Sequence, residues 1–262
     1  MNRAALFWGS LILLFGLFLL LESLDIIEDI NAFGAVFAIF LIAMGVWLLL
    51  GRGRLDKVRG EWNALPLGGA MKAKLRIEPG IGKLRLRASE NPGNLYEGYF
   101  GGGLELSHKR EDDLLKAKLH MPGEKIFMIF PGESLEWEVG VNKSLPVTID
   151  VENGIGESQI DLTGLDVEKF TLNAGIGASN LTLPVRTGTT QIRVEGGIGV
   201  IEIKIPSEVA AKIRVERGLG AVQVDKTRFP RMEGAYVSPN YEQADCKVEV
   251  RASTGIGSIN IR

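Results

Sequence analysis

The 262-residue sequence is poor in the residues that build catalytic and metal sites, with one cysteine, two histidines and only 7% aromatic residues. A single cysteine excludes an intramolecular disulfide framework, and this supply of histidine and cysteine argues against a zinc-type site. No Gly-x-Ser-x-Gly elbow and no His-Glu-x-x-His pair occurs. Lysine and arginine number 30 against 32 acidic residues, so no basic footprint for nucleic acid is present. We therefore expect no enzyme, no cofactor, no metal and no nucleic-acid partner.

Glycine, by contrast, is abundant, and it forms a repeated Gly-(Ile/Leu)-Gly element. The central residues of the six copies are Ile81, Ile155, Ile176, Ile198, Leu219 and Ile256. From the second to the fifth copy, successive centres are 21, 22 and 21 positions apart. Such regular spacing is typical of a solenoid, in which each coil buries its apolar face against the next. No copy continues to the third glycine of a dinucleotide-binding fingerprint, so a phosphate-binding interpretation is disfavoured.

Apolar residues alternate on both sides of each element, but the alternation changes phase across it. Around Ile176, for example, Phe170 and Leu172 precede the centre at even offsets, and Leu181 and Leu183 follow it at odd offsets. The pattern predicts a strand, a corner made by glycine, and a second strand that faces the same core. We also expect the central column of Ile and Leu to be buried, so that Ile176→Asp should unfold the domain.

The first fifty residues hold two long uncharged stretches. Residues 4–21 and 33–50 each form a run of 18 residues without charge, about 27 Å long as helices, which predicts an α-helical transmembrane hairpin over 1–50. A secretory signal peptide is the alternative for the first run, but a second apolar run follows directly. The connection between the runs is acidic and the residues after them are basic. The positive-inside rule therefore places both termini and the β domain in the cytoplasm, with an extracellular β domain as the alternative.

The remaining chain divides into a basic juxtamembrane linker at 51–64 and a β domain at 65–262. Residues 91–140 lack the glycine element, and we interpret them as either diverged rungs or a capping subdomain. Residues 226–245 are interpreted as a loop inserted into the solenoid, because the last two centres are 37 positions apart. The final strand, residues 259–262, has no evident cap, so its edge could support self-assembly.

Outward-facing positions are the place to look for function on a solenoid. Rows of Arg and Glu flank the glycine elements, as in Arg76/Glu78 and Arg193/Glu195, and they are consistent with a solvated sheet face. Asp161, Glu202 and Asp225 are the nearest candidates for catalytic carboxylates. They do not recur at one position of the repeat, so neither a glycosidase pair nor a calcium-dependent lyase site is predicted.

Several stretches of the β domain resemble the bacterial toastrack proteins, which include LiaF-like envelope-stress regulators and the carboxyl-terminal domain of the phage-shock PspC proteins. These stretches are residues 95–99, 137–142, 145–147, 161–165, 241–245 and 255–259. The amino-terminal Trp8-Gly9 with its aliphatic run looks like the LiaF-type membrane region, although those regulators usually carry four spans where this sequence has two. The resemblance implies an all-β, β-helix-like "toastrack" solenoid with no catalytic residues.

From these observations we expect a multi-pass protein of the cell membrane that is a non-enzymatic scaffold in envelope-stress sensing or regulation. Its expected partners are the lipid bilayer and a membrane protein such as a histidine kinase. A self-assembling structural β-solenoid or an adhesin-like protein is the alternative, and a second copy of the chain, in a homo-oligomer, is a further candidate partner.

Overall fold

The structure is a computed structural model that describes residues 60–123 and 135–262. These residues form thirteen β-strands that hydrogen-bond into one sheet. The strands are β1 (Glu61–Pro66), β2 (Lys72–Ser89), β3 (Asn94–Phe100), β4 (Glu105–Glu111), β5 (Leu114–His120), β6 (Glu136–Asn142), β7 (Val147–Asp161), β8 (Val167–Thr182), β9 (Gly188–Lys204), β10 (Ala210–Val224), β11 (Arg231–Met232), β12 (Ala235–Val237) and β13 (Cys246–Ile261). Within this part of the chain no helix is long and apolar enough to cross a membrane. The predicted transmembrane hairpin and residues 51–59 of the predicted linker lie outside the described residues.

Each long strand is one rung that bends at its glycine element, as the phase change predicted. In β8, the core-facing residues before the bend, Phe170 and Leu172, are buried. Leu181 after the bend is also buried, and so is Leu183 just beyond the end of the strand. The two halves of the rung therefore line one core from opposite sides. A short loop, such as residues 162–166 between β7 and β8, then returns the chain to the start of the next rung. The strand–corner–strand prediction is confirmed.

Both glycines of the element are required, for reasons visible at Gly175 and Gly177. Gly177 has a φ of 143°, which L-residues rarely adopt, and a Cβ there would lie 1.8 Å from the carbonyl oxygen of Gly156 in the adjacent rung. A Cβ on Gly175 would lie 2.2 Å from the carbonyl oxygen of Gly154. Only residues without side chains allow neighbouring corners to approach this closely.

The rungs do not stack in chain order. Their order through the centre of the sheet is β2, β7, β8, β9, β13 and β10, with every neighbouring pair parallel. The final strand is thus inserted between β9 and β10, and the expectation that it forms an uncapped edge is wrong. Residues 226–245, predicted as an inserted loop, carry the chain around β10 and contribute β11 and β12 on the way. This detour explains why the last repeat spacing is longer than a coil.

The segment predicted as either diverged rungs or a cap is both. Strand β5 pairs in parallel with the first half of β2, and β6 pairs in parallel with its second half, so together they form a rung split at the corner. Strand β4 then pairs antiparallel with β5, and β3 pairs antiparallel with β6. Strand β1 pairs in turn with β3. Buried Trp137 on β6 packs edge-on against Phe100 at 4.9 Å, and its indole N–H donates to the Gly101 carbonyl. The β domain begins with β1 at Glu61, four residues before its predicted start.

We expect Gly177→Ala to lower the free energy of unfolding by more than about 3 kcal/mol, because it combines a strained φ with a backbone clash. Denaturant unfolding followed by circular dichroism would measure this. Gly93→Ala is the control, since Gly93 lies in a turn where the nearest atom to an added Cβ is 3.4 Å away. Equal stability of the two variants would contradict the close-approach explanation.

Candidate interaction surface

The bends of five successive rungs place one aliphatic side chain each in a row on the outside of the domain. The register aligns Ile155 with Ile176, Ile176 with Ile198, Ile198 with Ile256, and Ile256 with Leu219. Four of these side chains are 50–51% exposed and Leu219 is 71% exposed. We call these five residues the aliphatic ridge. At about 4.8 Å per rung the ridge is about 19 Å long.

The exposure of the ridge corrects the prediction that the central column is core. Counting alternate positions from Phe170 and Leu172 puts Ile176 in phase with buried residues, but that count holds only for a straight strand. The backbone turns at Gly175-Ile176-Gly177, and the central side chain projects from the outer side of the turn while both flanking half-strands face the core. Two glycines around an aliphatic residue at a phase change were a signal in the sequence that could have indicated this position.

Val200, two positions after Ile198, is 42% exposed and widens the ridge near its centre. An ordered row of half-exposed aliphatic side chains differs from the scattered apolar residues that any protein surface carries, and contiguous apolar patches mark interaction sites. No rotation of these side chains can bury them inside the domain, because each is fixed at a bend. The arrangement can therefore bind an apolar surface or an apolar stretch of another chain.

The face formed by the first half-strands carries charged rows, as predicted, and those of β2, β5 and β7 are paired across rungs. Arg76 on β2 donates to Glu152 on β7 at 2.9 Å and also contacts Glu78. The Lys118 ammonium lies 3.0 Å from Glu78. Burial alone would raise the pKa of the Glu78 carboxyl, but the hydrogen bonds from Lys118 and Arg76 outweigh it and hold that pKa below its usual range. This network neutralises the like-charge rows and so stabilises the face.

The face formed by the second half-strands has a shallow groove of about 450 Å³, lined by polar residues that include Arg85, Arg87 and Asp161. Arg85 is held by Glu136 at 2.8 Å and Glu138 at 3.0 Å. Asp161 accepts hydrogen bonds from the backbone N–H and the hydroxyl of Thr163, so it orders the loop after β7. Arg85 and Asp161 in the groove are therefore engaged in structural contacts.

The three candidate carboxylates are not brought together. Asp161 lies on β7, Glu202 on β9 and Asp225 directly after β10, so neighbours in this series are two strands apart in the sheet, about 10 Å. Asp225 accepts from the backbone N–H of Thr227 at 2.9 Å, which is a turn-stabilising contact. Among the described residues no cluster of histidine, cysteine, aspartate and glutamate could hold a metal ion.

A stack of bent parallel rungs with an external aliphatic ridge defines a β-solenoid-like domain. Residues 55–205 match the family described as the N-terminal domain of toast_rack, DUF2154. The chain therefore belongs to the toast_rack family, as the sequence resemblance indicated. No functionally curated protein matches the sequence.

Two solved structures of candidate adhesion proteins are similar to this chain to very different degrees. A candidate cell adhesion protein from Clostridium sporogenes is 25% identical and has a TM-score of 0.71, over 78% of this chain and 98% of its own. A candidate adhesin from Bacteroides fragilis is 8% identical with a TM-score of 0.26, over 78% of this chain and 97% of its own. The second similarity is too weak to carry an argument, whereas the first extends over the whole β domain.

We expect Ile176→Asp to change the free energy of unfolding by about 1 kcal/mol or less, because the side chain is already half in water. Leu172→Asp on the same strand should cost more than about 3 kcal/mol, because it buries an unpaired carboxylate among apolar side chains. Thermal and denaturant unfolding of both variants would measure the difference. An Ile176→Asp variant as unstable as Leu172→Asp would show that the ridge belongs to the core.

Proposed function

We propose that this chain is a membrane-anchored, non-enzymatic scaffold that regulates a response to cell-envelope stress by binding a membrane protein such as a sensor histidine kinase. The aliphatic ridge is the observation that supports this proposal most directly. It offers an apolar contact line on the outside of the β domain, and charged side chains of the first rungs beside it, such as Arg76 and Lys118, are already paired with carboxylates. The partner surface that fits such a ridge is an apolar groove or helix face.

The LiaF-like or PspC-like role is part of the proposal and rests on the sequence stretches that resemble those regulators. A scaffold of this kind acts by differential binding: it favours one state of its partner by contacting that state better than the other. The predicted membrane hairpin would hold the β domain close to the membrane and raise its effective concentration near a membrane-bound partner. The domain itself then needs only a modest contact area.

An adhesin-like function is the second candidate, and the similarity to the Clostridium sporogenes protein favours it. Adhesion requires the β domain to lie outside the cell, whereas the proposed regulatory scaffold is predicted to have it in the cytoplasm. The two candidates are therefore separated by membrane topology.

A reporter pair fused to the carboxyl terminus would determine topology. We expect the cytoplasmic reporter to be active and the exported reporter to be silent, since the basic residues follow the second apolar run. The same fusions placed between the two apolar runs, where the chain is acidic, should give the opposite result. An active exported reporter at the carboxyl terminus would reject the cytoplasmic scaffold and favour adhesion.

We expect a double variant, Ile176→Asp with Ile198→Asp, to lose its membrane partner in co-purification while remaining folded. Two carboxylates at the centre of the ridge would have to be desolvated against an apolar partner, so recovery of the partner should fall at least tenfold. The matched control is Thr171→Asp with Arg193→Asp, which alters the charged face of the same two rungs. Undiminished recovery with the ridge variant, together with loss in the control, would assign binding to the charged face instead.

A further inference from the structure

The last rung of the stack, β10, has a second edge that is largely unpaired. On one side β10 pairs with β13 from Ala210 to Val224. On the other side β12 pairs only with Lys212 and Ile213, and the Ser238 N–H donates to the Ala211 carbonyl. Residues 214–224 therefore have no strand partner on that side in the part of the chain that the structure describes. We call this stretch the open edge.

One hydrogen bond fixes which backbone groups face the open edge. The Asp225 N–H donates to the Ile261 carbonyl of β13 at 3.0 Å. In a parallel ladder, alternate residues bond to the same neighbour, so Gln223 and Asp225 bond to β13. The N–H and C=O groups of Val222 and Val224 consequently point away from β13, toward the open edge. A second strand could accept and donate hydrogen bonds at these two residues without disturbing the rung.

The core also ends incompletely at this rung. Val222 and Val224 occupy the positions that Ile259 and Ile261 occupy in β13, where exposure is 0% and 1%. In β10 both valines are only partly buried, although they still pack against the core. Adding another strand at the open edge would extend the sheet and cover these side chains.

The other sheet edges carry features that discourage pairing, and the second half of the open edge does not. Strand β1 contains Glu61 and Pro66, β11 has two residues, and β4 is rich in charge. Residues 218–224, with the sequence GLGAVQV, contain neither a charge nor a proline. Edges without such protection are the ones that pair with another chain.

We propose that a second copy of this chain pairs with the open edge through antiparallel contact of the two β10 strands about a two-fold axis at Gln223. This alignment places Val222 of each copy opposite Val224 of the other. Both residues direct their backbone groups outward and their side chains toward the core, so they form hydrogen-bonded pairs on one face. The sheet then continues into the second copy with the core-facing side chains of both copies on the same face. A parallel alignment, or one shifted by one residue, would place core-facing and solvent-facing side chains on the same face.

Antiparallel pairing about Gln223 places Asp225 of one copy opposite Ala221 of the other, so no two like charges lie opposite each other in the paired stretch. A single short strand pair buries less than the roughly 1,200 Å² of small stable interfaces, so the dimer forms reversibly at high local concentration. This association does not depend on the partner proposed for the aliphatic ridge.

Site-specific cross-linking of the full chain in membranes would test the pairing. In a background with Cys246→Ser, which removes the only native cysteine, Gln223→Cys should give a disulfide-linked dimer under mild oxidation with copper phenanthroline. Directly opposite residues of a non-hydrogen-bonded antiparallel pair have Cα atoms about 4.5 Å apart, which suits a disulfide. Asn260→Cys, in register with Gln223 but one rung inside, is the matched control and should not cross-link. No dimer at 223, or equal cross-linking at both positions, would overturn the proposal.

Two further variants test whether the dimer forms through pairing at the open edge. Val222→Pro removes an N–H that faces the open edge and spares the bonds to β13, so sedimentation of the detergent-purified chain should show at least a tenfold weaker dimer.

Gln223→Glu changes an exposed side chain and places two carboxylates opposite each other across the two-fold axis, so it should weaken the dimer while the fold is retained. Asn260→Glu is its control. Unchanged association in Gln223→Glu at low salt would reject a two-fold axis at this residue even if Val222→Pro failed to fold.

Discussion

The close approach of backbones at the glycine corners is the constraint on which the rest of the structure depends. Parallel rungs about 4.8 Å apart must all bend at the same register if their two halves are to enclose one core. At Gly177 this leaves 1.8 Å between a hypothetical Cβ and the Gly156 carbonyl oxygen. Two glycines per rung are therefore a geometric requirement, and their unfavourable backbone entropy is offset by aliphatic burial on both sides of each bend.

Because of this constraint, different positions along a rung carry different types of residue. The core-facing positions on both sides of each bend carry aliphatic residues in rung after rung, because each rung must pack against its neighbours. Positions on the two sheet faces vary, and in the first rungs their charges pair across strands, as Arg76 does with Glu152. The outer position of the bend is different: it repeats an aliphatic residue although that residue is exposed. Four of the five side chains of the aliphatic ridge are half covered within the domain, and we propose that their exposed halves contact another surface.

The sequence predicts the local structure of a rung well and its place in the stack poorly. Repeat spacing and the phase change identified the bent strands. Exposure of Ile176 was missed because period-2 reasoning assumes a straight strand. The insertion of β13 between β9 and β10 was missed for a different reason. Sequence spacing reports the length of a coil, but the order of coils depends on pairing between residues far apart in the chain.

Leu219 joins the two surfaces that the structure leaves uncovered. It is the last residue of the aliphatic ridge, and it lies within the open edge of β10. The ridge is perpendicular to the strands, whereas the open edge runs along one, so a partner on the ridge and a second copy at the edge approach the same corner from different directions. Occupation of one surface as far as Leu219 therefore changes the surroundings of the other. If both contacts form, their binding free energies are linked through this residue, and the sign of the linkage depends on whether the two partners clash or touch there.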